Sequence, residues 1–248
     1  YRRDKVPMVL GHEISGEITS IGQGVTNVKI GDRVVASHHV PCLKCRYCKA
    51  GHETVCRTLK MTTFDPGGFS EYVRLPKINT RLGLFSIPEN ISYEEASFAE
   101  PLACVIRGQN RVDLKAGDVV AVIGSGISGI LHISLAKSRG AKYIIASDIN
   151  ESRLRWAQKF GADSVTSDSN LIPSLLEESI GYKANIVILT TGHPKAIQAG
   201  FDAADEGGTI LLFAPTDPDI TIPININDIF FTHDKTVTTS YANSPENI

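Results

Sequence analysis

The second half of the chain alternates short apolar runs with longer stretches of helical periodicity. Short apolar runs predict strands, and the longer periodic stretches between them predict amphipathic helices. The predicted strands are Val119–Ile123, Tyr143–Ser147, Ser164–Thr166, Asn185–Leu189, Thr209–Ala214 and Thr236–Thr239. The predicted helices cover residues 127–139, 151–160, 170–180 and 194–205. Wholly apolar strands that alternate with helices are typical of a doubly wound parallel α/β sheet.

The first half has a different residue pattern, because it is rich in valine and glycine and contains short runs that alternate apolar and polar residues. Ile14–Ile21, Val28–Ser37 and Gly68–Leu75 each alternate apolar and polar residues and lie beside glycine turns. This pattern predicts short strands in a small β-barrel or sandwich. We therefore predict two domains, residues 1–112 and 113–248.

Composition and charge argue against some classes of partner. The 248 residues are 42% hydrophobic and 21% charged, with a formal net charge of −2. This balance gives no electrostatic reason to expect nucleic acid or an anionic membrane surface. The apolar runs are far shorter than a membrane span and the first residues lack a signal-peptide pattern, so we expect no membrane association and a cytoplasmic location.

A glycine-rich turn follows the first strand of the predicted parallel sheet. Gly124–Gly129 reads GSGISG and opens a helix, which is the context in which a GxGxxG motif binds a dinucleotide. Gly124 permits a tight turn, Gly126 lets the backbone approach a pyrophosphate, and Gly129 lets helix and strand pack closely. The helix N-terminus is expected to bind the phosphates. The cofactor contacts predicted from this motif are Gly124, Gly126, Ile127, Ser128 and Gly129.

Asp148 ends the next predicted strand. A carboxylate at this position accepts hydrogen bonds from the hydroxyls of the adenosine ribose and repels a 2′-phosphate, so NAD is favoured over NADP. The alternative is that Asp148 only caps the helix that begins near Glu151. Arg153 is either an adenosine contact or a solvated helix residue. Thr191 and Phe213 follow the carboxyl ends of later strands, where we expect the nicotinamide.

Four of the five cysteines lie within fifteen residues. Cys42, Cys45, Cys48 and Cys56 have the spacing C-x2-C-x2-C-x7-C, in a lobe of about residues 41–57. Such clustering without a secretion signal favours metal over disulfides, and four soft ligands predict a closed, structural zinc site. An iron–sulfur cluster is the competing interpretation.

A second set of candidate metal ligands comes from separate parts of the first half. Gly11-His12-Glu13 precedes the first predicted strand, and Glu100 lies in an otherwise apolar stretch, where a carboxylate is costly unless paired or bound to metal. One histidine and two acids meet the needs of a catalytic zinc, which takes three protein ligands and leaves one position open. Cys104 is either a stand-in ligand or a small buried helix residue. His38 and His39 are interpreted as surface loop residues, with lining of the site as the alternative.

Together these motifs resemble the zinc-containing medium-chain dehydrogenases. They occur in the order of that family: Gly11-His12-Glu13, the four cysteines, Gly67-Gly68-Phe69-Ser70-Glu71-Tyr72, Glu100-Pro101-Leu102 and Gly124–Gly129. The sequence is most similar to the sorbitol and threonine dehydrogenase branch, where the acid of Glu-Pro-Leu replaces a cysteine of the liver-type enzymes. The resemblance implies an incomplete GroES-like β-barrel followed by a Rossmann domain.

The resemblance also implies roles and chemistry. His12 is a ligand of a catalytic zinc, Glu13 is a ligand or a close neighbour, and Glu100 binds the zinc or its water. The implied reaction is hydride transfer between a secondary alcohol (a polyol, sugar alcohol or aminoalcohol) and NAD, with one structural and one catalytic zinc in a homo-oligomer. The alternative is a non-catalytic zinc- and nucleotide-binding fragment of such an enzyme.

The sequence departs from the family pattern in two places. Family members carry a zinc-ligating cysteine and a serine or threonine of the proton relay upstream of Gly-His-Glu, and residues 1–10 contain neither. They also continue beyond the position of Ile248 with helices that return to the catalytic domain. We therefore expect a chain that is truncated at both ends.

Overall fold

The computed structural model describes residues 7–248, so residues 1–6 of the first predicted domain lie outside the described residues. The chain forms two compact units. The first comprises the residues up to Cys104 together with Ala242–Ile248, and the second is Val105–Tyr241. Among the described residues, no helix is both long and apolar enough to cross a membrane.

The first unit contains a three-stranded antiparallel sheet and several short helices. Its strands pair in the order β1 (Ile14–Glu17), β2 (Arg33–Ala36) and β3 (Leu84–Ser86). Its helices are α1 (Arg46–Lys49), α2 (Arg57–Met61), α3 (Lys77–Leu82), α4 (Tyr93–Ser97) and the first part of α5 (Ala99–Arg111). A small core of Val35, Ile87 and Ala96 lies against this sheet. This antiparallel sheet agrees with the short strands predicted over Ile14–Ile21 and Val28–Ser37.

The strand predicted over Gly68–Leu75 is wrong. This segment is irregular, apart from an isolated bridge between Asp65 and Arg74. The Gly68 N–H donates a hydrogen bond to the Gly11 carbonyl at 2.8 Å, and a Cβ at Gly68 would lie 2.8 Å from the carbonyl carbon of Gly11. The glycines therefore serve a close approach of two backbones, which overrides the alternating pattern.

The second unit is built on a six-stranded parallel sheet. Its strands are β4 (Val119–Ile123), β5 (Tyr143–Ser147), β6 (Ser164–Thr166), β7 (Ala184–Leu189), β8 (Ala204–Leu212) and β9 (Thr236–Thr239). Its helices are the rest of α5, α6 (Ile127–Ser138), α7 (Glu151–Lys159), α8 (Ile172–Ile180) and α9 (Pro194–Ala203). The strand order β6-β5-β4-β7-β8-β9 is that of a Rossmann fold, which confirms the predicted fold class. Short 3₁₀ turns lie at Glu53–Val55, Ser169–Leu171, Ile226–Asp228 and Pro245–Asn247.

Burial of β4 on both faces explains its wholly apolar sequence. Val120 and Val122 pack into one cluster, while Val119, Ala121 and Ile123 pack into another on the opposite face. Because β5 and β7 flank β4 on either side, the order of strands reverses there. The carboxyl ends of β4 and β7 therefore border the crevice where open α/β sheets bind their ligands.

Candidate metal and nucleotide sites

The four clustered cysteines come together in space. The Sγ atoms of Cys42, Cys45, Cys48 and Cys56 all lie within 4.8 Å of one another. Short helices place them, since Cys45 precedes α1 and Cys56 precedes α2. Backbone N–H groups point at the sulfurs, as from Cys45 to Cys42 Sγ at 3.4 Å. Four thiols around one centre fit a closed zinc–tetrathiolate site.

The surroundings give these thiols unequal acidities. Hydrogen bonds from the backbone N–H groups of Lys44 and Cys45 lower the pKa of Cys42. Burial opposes ionisation of Cys56, but hydrogen bonds led by the Cys42 N–H lower its pKa to about 6. Burial and the neighbouring Cys45 thiol raise the pKa of Cys48 to about 12. A metal ion brings such thiols to one ionised state because it displaces the remaining protons.

Three further side chains, far apart in sequence, also converge in the first unit. One ligand atom each of His12, His38 and Glu100 lies within 4.8 Å of the other two. The ring centroids of His12 and His38 are 4.3 Å apart. His12 is exposed, His38 is half-buried and Glu100 is buried. Two imidazoles and a carboxylate form a donor set that is typical of catalytic zinc.

Glu100 is the buried member of this group, with 8% of its surface exposed. Burial raises the pKa of its carboxyl group, the charge of His12 opposes that rise, and the charge of Glu13 adds to it. Asn243, in the terminal segment, donates a hydrogen bond from Nδ2 to Glu100 Oε1 at 2.9 Å. Cys104 Sγ lies 3.7 Å from the same oxygen, and burial raises the pKa of Cys104 to about 12. Cys104 is not one of the three residues whose ligand atoms converge, among the residues that the structure describes.

Two of the sequence motifs position His12 jointly. Gly11 has a φ of +91°, and a Cβ there would lie 2.8 Å from the backbone nitrogen of Phe69. The glycine segment that precedes Phe69 therefore packs on Gly11 and fixes the backbone next to His12. Glu13 is exposed and is not one of the three converging residues, although its charge acts on Glu100.

In the second unit, the glycine-rich turn has the geometry that a dinucleotide needs. Gly124 has a φ of +97°, and a Cβ at Gly129 would lie 2.0 Å from the Gly124 carbonyl oxygen, so α6 packs closely on the turn. A Cβ at Gly126 would meet nothing within 4 Å and would project into open space. Gly126 precedes α6 without a side-chain cap, which leaves N–H groups of the first turn for a phosphate.

Asp148 follows β5 and is bonded to the glycine-rich turn. Its carboxylate accepts hydrogen bonds from the N–H groups of Ser125 and Asn150, each at 2.9 Å, and Arg153 Nη1 lies 3.4 Å from Oδ2. The residue that caps α7 is Asn150, whose side chain accepts from Ser152 N–H. The cap of α7 therefore belongs to Asn150 and not to Asp148.

The two predicted nicotinamide-side residues lie in loops after β7 and β8. Thr191 Oγ1 accepts a hydrogen bond from the His193 N–H at 3.3 Å. The Phe213 ring packs edge-on against His132, with centroids 4.5 Å apart, and its N–H donates to the Leu189 carbonyl at 3.0 Å. The backbone of Phe213 thus lies at the carboxyl end of the sheet, whereas its ring belongs to the core.

The sequence matches two protein families. Residues 1–88 match the alcohol dehydrogenase GroES-like domain, and residues 128–248 match zinc-binding dehydrogenase. The chain belongs to the zinc-binding dehydrogenase family. Within that family, the three-stranded sheet is the GroES-like part and the parallel sheet is the Rossmann part.

The chain is also similar to curated enzymes that are named as reductases and dehydrogenases. The chain is 34% identical over 228 residues to probable D-xylulose reductase A of Aspergillus clavatus, a match that covers 89% of this chain and 63% of the relative. It is 35% identical over 231 residues to L-threonine 3-dehydrogenase of Caldanaerobacter subterraneus, covering 92% and 65% respectively. The chain therefore spans less than two thirds of the length of these dehydrogenases.

Solved structures of dehydrogenases share the fold. The 2R,3R-butanediol dehydrogenase of Bacillus subtilis superposes with a TM-score of 0.82 at 28% identity, covering 96% of this chain and 67% of the other. An alcohol dehydrogenase from Escherichia coli complexed with NADH has a TM-score of 0.84 at 26% identity, covering 97% and 70%. A zinc-binding dehydrogenase from Sinorhizobium meliloti bound to NADP has a TM-score of 0.85 at 29% identity, covering 96% and 70%.

Two residues in or beside the converging group differ from what the sequence suggests. The sequence favours a surface loop position for His38, but the residue is half-buried and its ring centroid lies 4.3 Å from that of His12. Asn243 has no sequence signal, since it meets Glu100 only through the return of the terminal segment to the first unit. A pair of histidines between a strand and a cysteine lobe is the one local pattern that points to His38.

Proposed function

We propose that the protein is a zinc- and NAD-dependent dehydrogenase that interconverts a secondary alcohol and a ketone. The observation that carries the proposal is the convergence of His12 with the buried Glu100 in a chain of the zinc-binding dehydrogenase family. Relatives named for xylulose, threonine and butanediol support a polyol, sugar alcohol or aminoalcohol as substrate.

Each metal group has a separate role in this proposal. Cys42, Cys45, Cys48 and Cys56 hold a structural zinc, whereas His12, Glu100 and the adjacent Glu13 serve the reactive zinc. When bound, the reactive zinc acts as a Lewis acid that lowers the pKa of a substrate hydroxyl. Glu100 contributes a carboxylate oxygen, and Asn243 fixes the orientation of that carboxylate through its hydrogen bond.

The second unit supplies the nucleotide site. NAD, when bound, accepts the hydride. The N–H groups at the start of α6, including those of Ile127 and Ser128, bind the pyrophosphate, and Gly126 leaves space for it. Asp148 accepts the ribose hydroxyls, with Arg153 beside it. The loops that contain Thr191 and Phe213 orient the nicotinamide.

Zinc content and turnover of the full 248-residue chain test the proposal. After dialysis against a mild chelator, we expect about two zinc ions per chain and NADH formation with members of a panel of polyols, sugar alcohols and aminoalcohols. Glu100→Gln should keep one zinc and lose activity. Two zinc ions and NADH binding without turnover by any alcohol would instead support the alternative, a non-catalytic zinc- and nucleotide-binding fragment.

We also propose that the protein forms a homo-oligomer, a dimer or tetramer. The strand β9 lies at the edge of the parallel sheet, and large apolar side chains near it are exposed. They include Phe230, Phe231, Val237 and Tyr241. An unpaired apolar edge favours association. Sedimentation equilibrium should give a multiple of 26.8 kDa for the chain and a lower mass for Val237→Lys.

A cytoplasmic location is the remaining part of the proposal. The five cysteines are free thiols, and a zinc–thiolate cluster needs its cysteines reduced. The cytoplasm maintains such a state. Fractionation of cells that express the protein should recover it with cytoplasmic markers, and recovery in an oxidising compartment would contradict this part of the proposal.

A further inference from the structure

The His38 side chain lies beside His12 and Glu100, two of the metal ligands that the sequence predicts. Its ring nitrogen is one of three ligand atoms that all lie within 4.8 Å of one another, the others coming from His12 and Glu100. Ligand atoms around a tetrahedral zinc are about 3.4 Å apart, as zinc–nitrogen and zinc–oxygen bond lengths require. The three side chains therefore need only small rotamer adjustments to coordinate one ion.

Buried hydrogen bonds hold the backbone of His38 in place. Asn79, which is fully buried, donates from Nδ2 to the carbonyl of Ser37 at 2.8 Å and to that of His38 at 3.0 Å. The Ser37 N–H donates to the Gly83 carbonyl at 2.7 Å. The segment after β2 is therefore rigid where it presents the imidazole to His12.

The adjacent histidine shows that this placement is specific to His38. The His39 Nδ1 atom lies 3.0 Å from the Thr62 carbonyl, which ties its ring to the end of α2. The ring centroids of His38 and His39 are 3.7 Å apart, so the two residues share much of their environment. His39 is nevertheless not one of the three residues whose ligand atoms converge, among the residues that the structure describes.

We propose that His38 is a direct ligand of the reactive zinc, together with His12 and Glu100. Two imidazoles and one carboxylate are a complete protein ligand set for a catalytic zinc, and they leave the fourth position open. This inference rests on the proposed function for the existence of that zinc. It adds the ligand that the sequence pattern does not supply and makes Glu13 a neighbour of the metal.

Metal binding by three variants of the full chain tests the proposal. His38→Gln removes the imidazole but keeps a polar side chain, His38→Cys restores a zinc ligand, and His39→Gln is the matched control. Zinc per chain is measured by elemental analysis, and the affinity of the second ion by cobalt titration followed by visible absorption. Circular dichroism and retention of the cysteine-bound zinc report the fold of each variant.

We expect about two zinc ions in the wild type and His39→Gln, and about one in His38→Gln. Loss of a neighbour of a ligand lowers metal affinity 10–100-fold, so loss of a direct ligand should lower it by more than about 100-fold. His38→Cys should regain the second ion with a new thiolate-to-cobalt absorption band. A second ion bound to His38→Gln with wild-type affinity would overturn this inference but not the proposed function. A wild type that holds one zinc, lost in Cys45→Ser, would overturn both the inference and the reactive zinc of the proposed function.

Discussion

Asn243 donates a hydrogen bond to the carboxylate of Glu100 across 143 residues of sequence. The same amide donates to the Glu100 carbonyl at 3.3 Å, and its Oδ1 lies 3.4 Å from Ser37 Oγ. Both Asn243 and Ser37 are buried. Asn243 therefore joins the start of α5 to the segment that carries His38, and it is a positioning residue for the metal group.

Asn243→Ala should weaken both the reactive metal site and the fold. The lost bond to a carboxylate costs about 1.5–3 kcal/mol of unfolding free energy, and metal affinity should fall about 10–100-fold because Glu100 loses its orientation. Cobalt titration and urea unfolding measure the two effects. Asn247→Ala is the control, since Asn247 bonds to Ser244 in the same segment. Equal metal affinities in the two variants would contradict a positioning role for Asn243.

Two glycines of the nucleotide turn should respond in opposite ways to alanine. Gly129→Ala places a Cβ 2.0 Å from a carbonyl oxygen, so we expect a loss of about 1–3 kcal/mol or more in unfolding free energy. Gly126→Ala meets no protein atom and has a negative φ of −69°, so stability should change by less than about 0.5 kcal/mol. Its NADH affinity should nevertheless fall by at least about tenfold, or about 1.4 kcal/mol, because the Cβ occupies the phosphate path. Unchanged NADH binding by Gly126→Ala would argue against the proposed pyrophosphate position.

Asp148→Asn should shift the cofactor preference. Asp148 accepts hydrogen bonds from two N–H groups, and the asparagine amide oxygen can still accept one of them. The substitution removes the negative charge that repels a 2′-phosphate. With Arg153 adjacent, we expect the ratio of NADPH to NADH affinity to rise by about tenfold, which corresponds to about 1.4 kcal/mol. Fluorescence titration of both cofactors gives the ratio. If that ratio stays at the wild-type value, Asp148 does not bind the adenosine ribose of the cofactor.

Cys45→Ser should remove one zinc and destabilise the first unit. Structural zinc contributes directly to folding, so the melting temperature should fall by about 10 °C. The matched control is Cys104→Ser, because Cys104 lies beside Glu100 and outside the four-cysteine group. Elemental analysis should find the cysteine-bound zinc intact in that control. Equal zinc content in Cys45→Ser and wild type would exclude the four-cysteine site.

His132 makes the second unit sensitive to acid. Complete burial lowers its pKa from 6.5 to about 3, so the folded state keeps a neutral imidazole while the unfolded chain binds a proton below pH 6.5. Stability therefore falls as the pH drops from 6.5 toward 3, by about 2 kcal/mol at pH 5 relative to pH 7. His132→Leu should lose this component of the pH dependence. Urea unfolding of both proteins at the two pH values measures it, and parallel losses would contradict the assignment.

Much of the fold can be predicted because its strands are buried on both faces. The bounds of β4 and β5 agree with buried apolar runs in the sequence. Those of β6 and β9 also agree with the prediction, although β9 is mostly exposed. The alternation over Gly68–Leu75 fails because backbone packing against Gly11 outweighs side-chain pattern there. The cysteine group follows from spacing alone. The role of Asn243 depends on a tertiary contact that no local pattern encodes, and the local sign of His38 is the pair of histidines beside the cysteine lobe.

The return of Ala242–Ile248 to the first unit has a consequence for biosynthesis. A ribosome makes His12, His38 and Glu100 early, but Asn243 emerges only after the whole parallel sheet has been translated. The nascent chain can close its four-cysteine loop with zinc long before that point, because all its thiols lie within one short stretch. The four-cysteine loop of the proposed function can therefore take up its zinc before Asn243 fixes the Glu100 carboxylate.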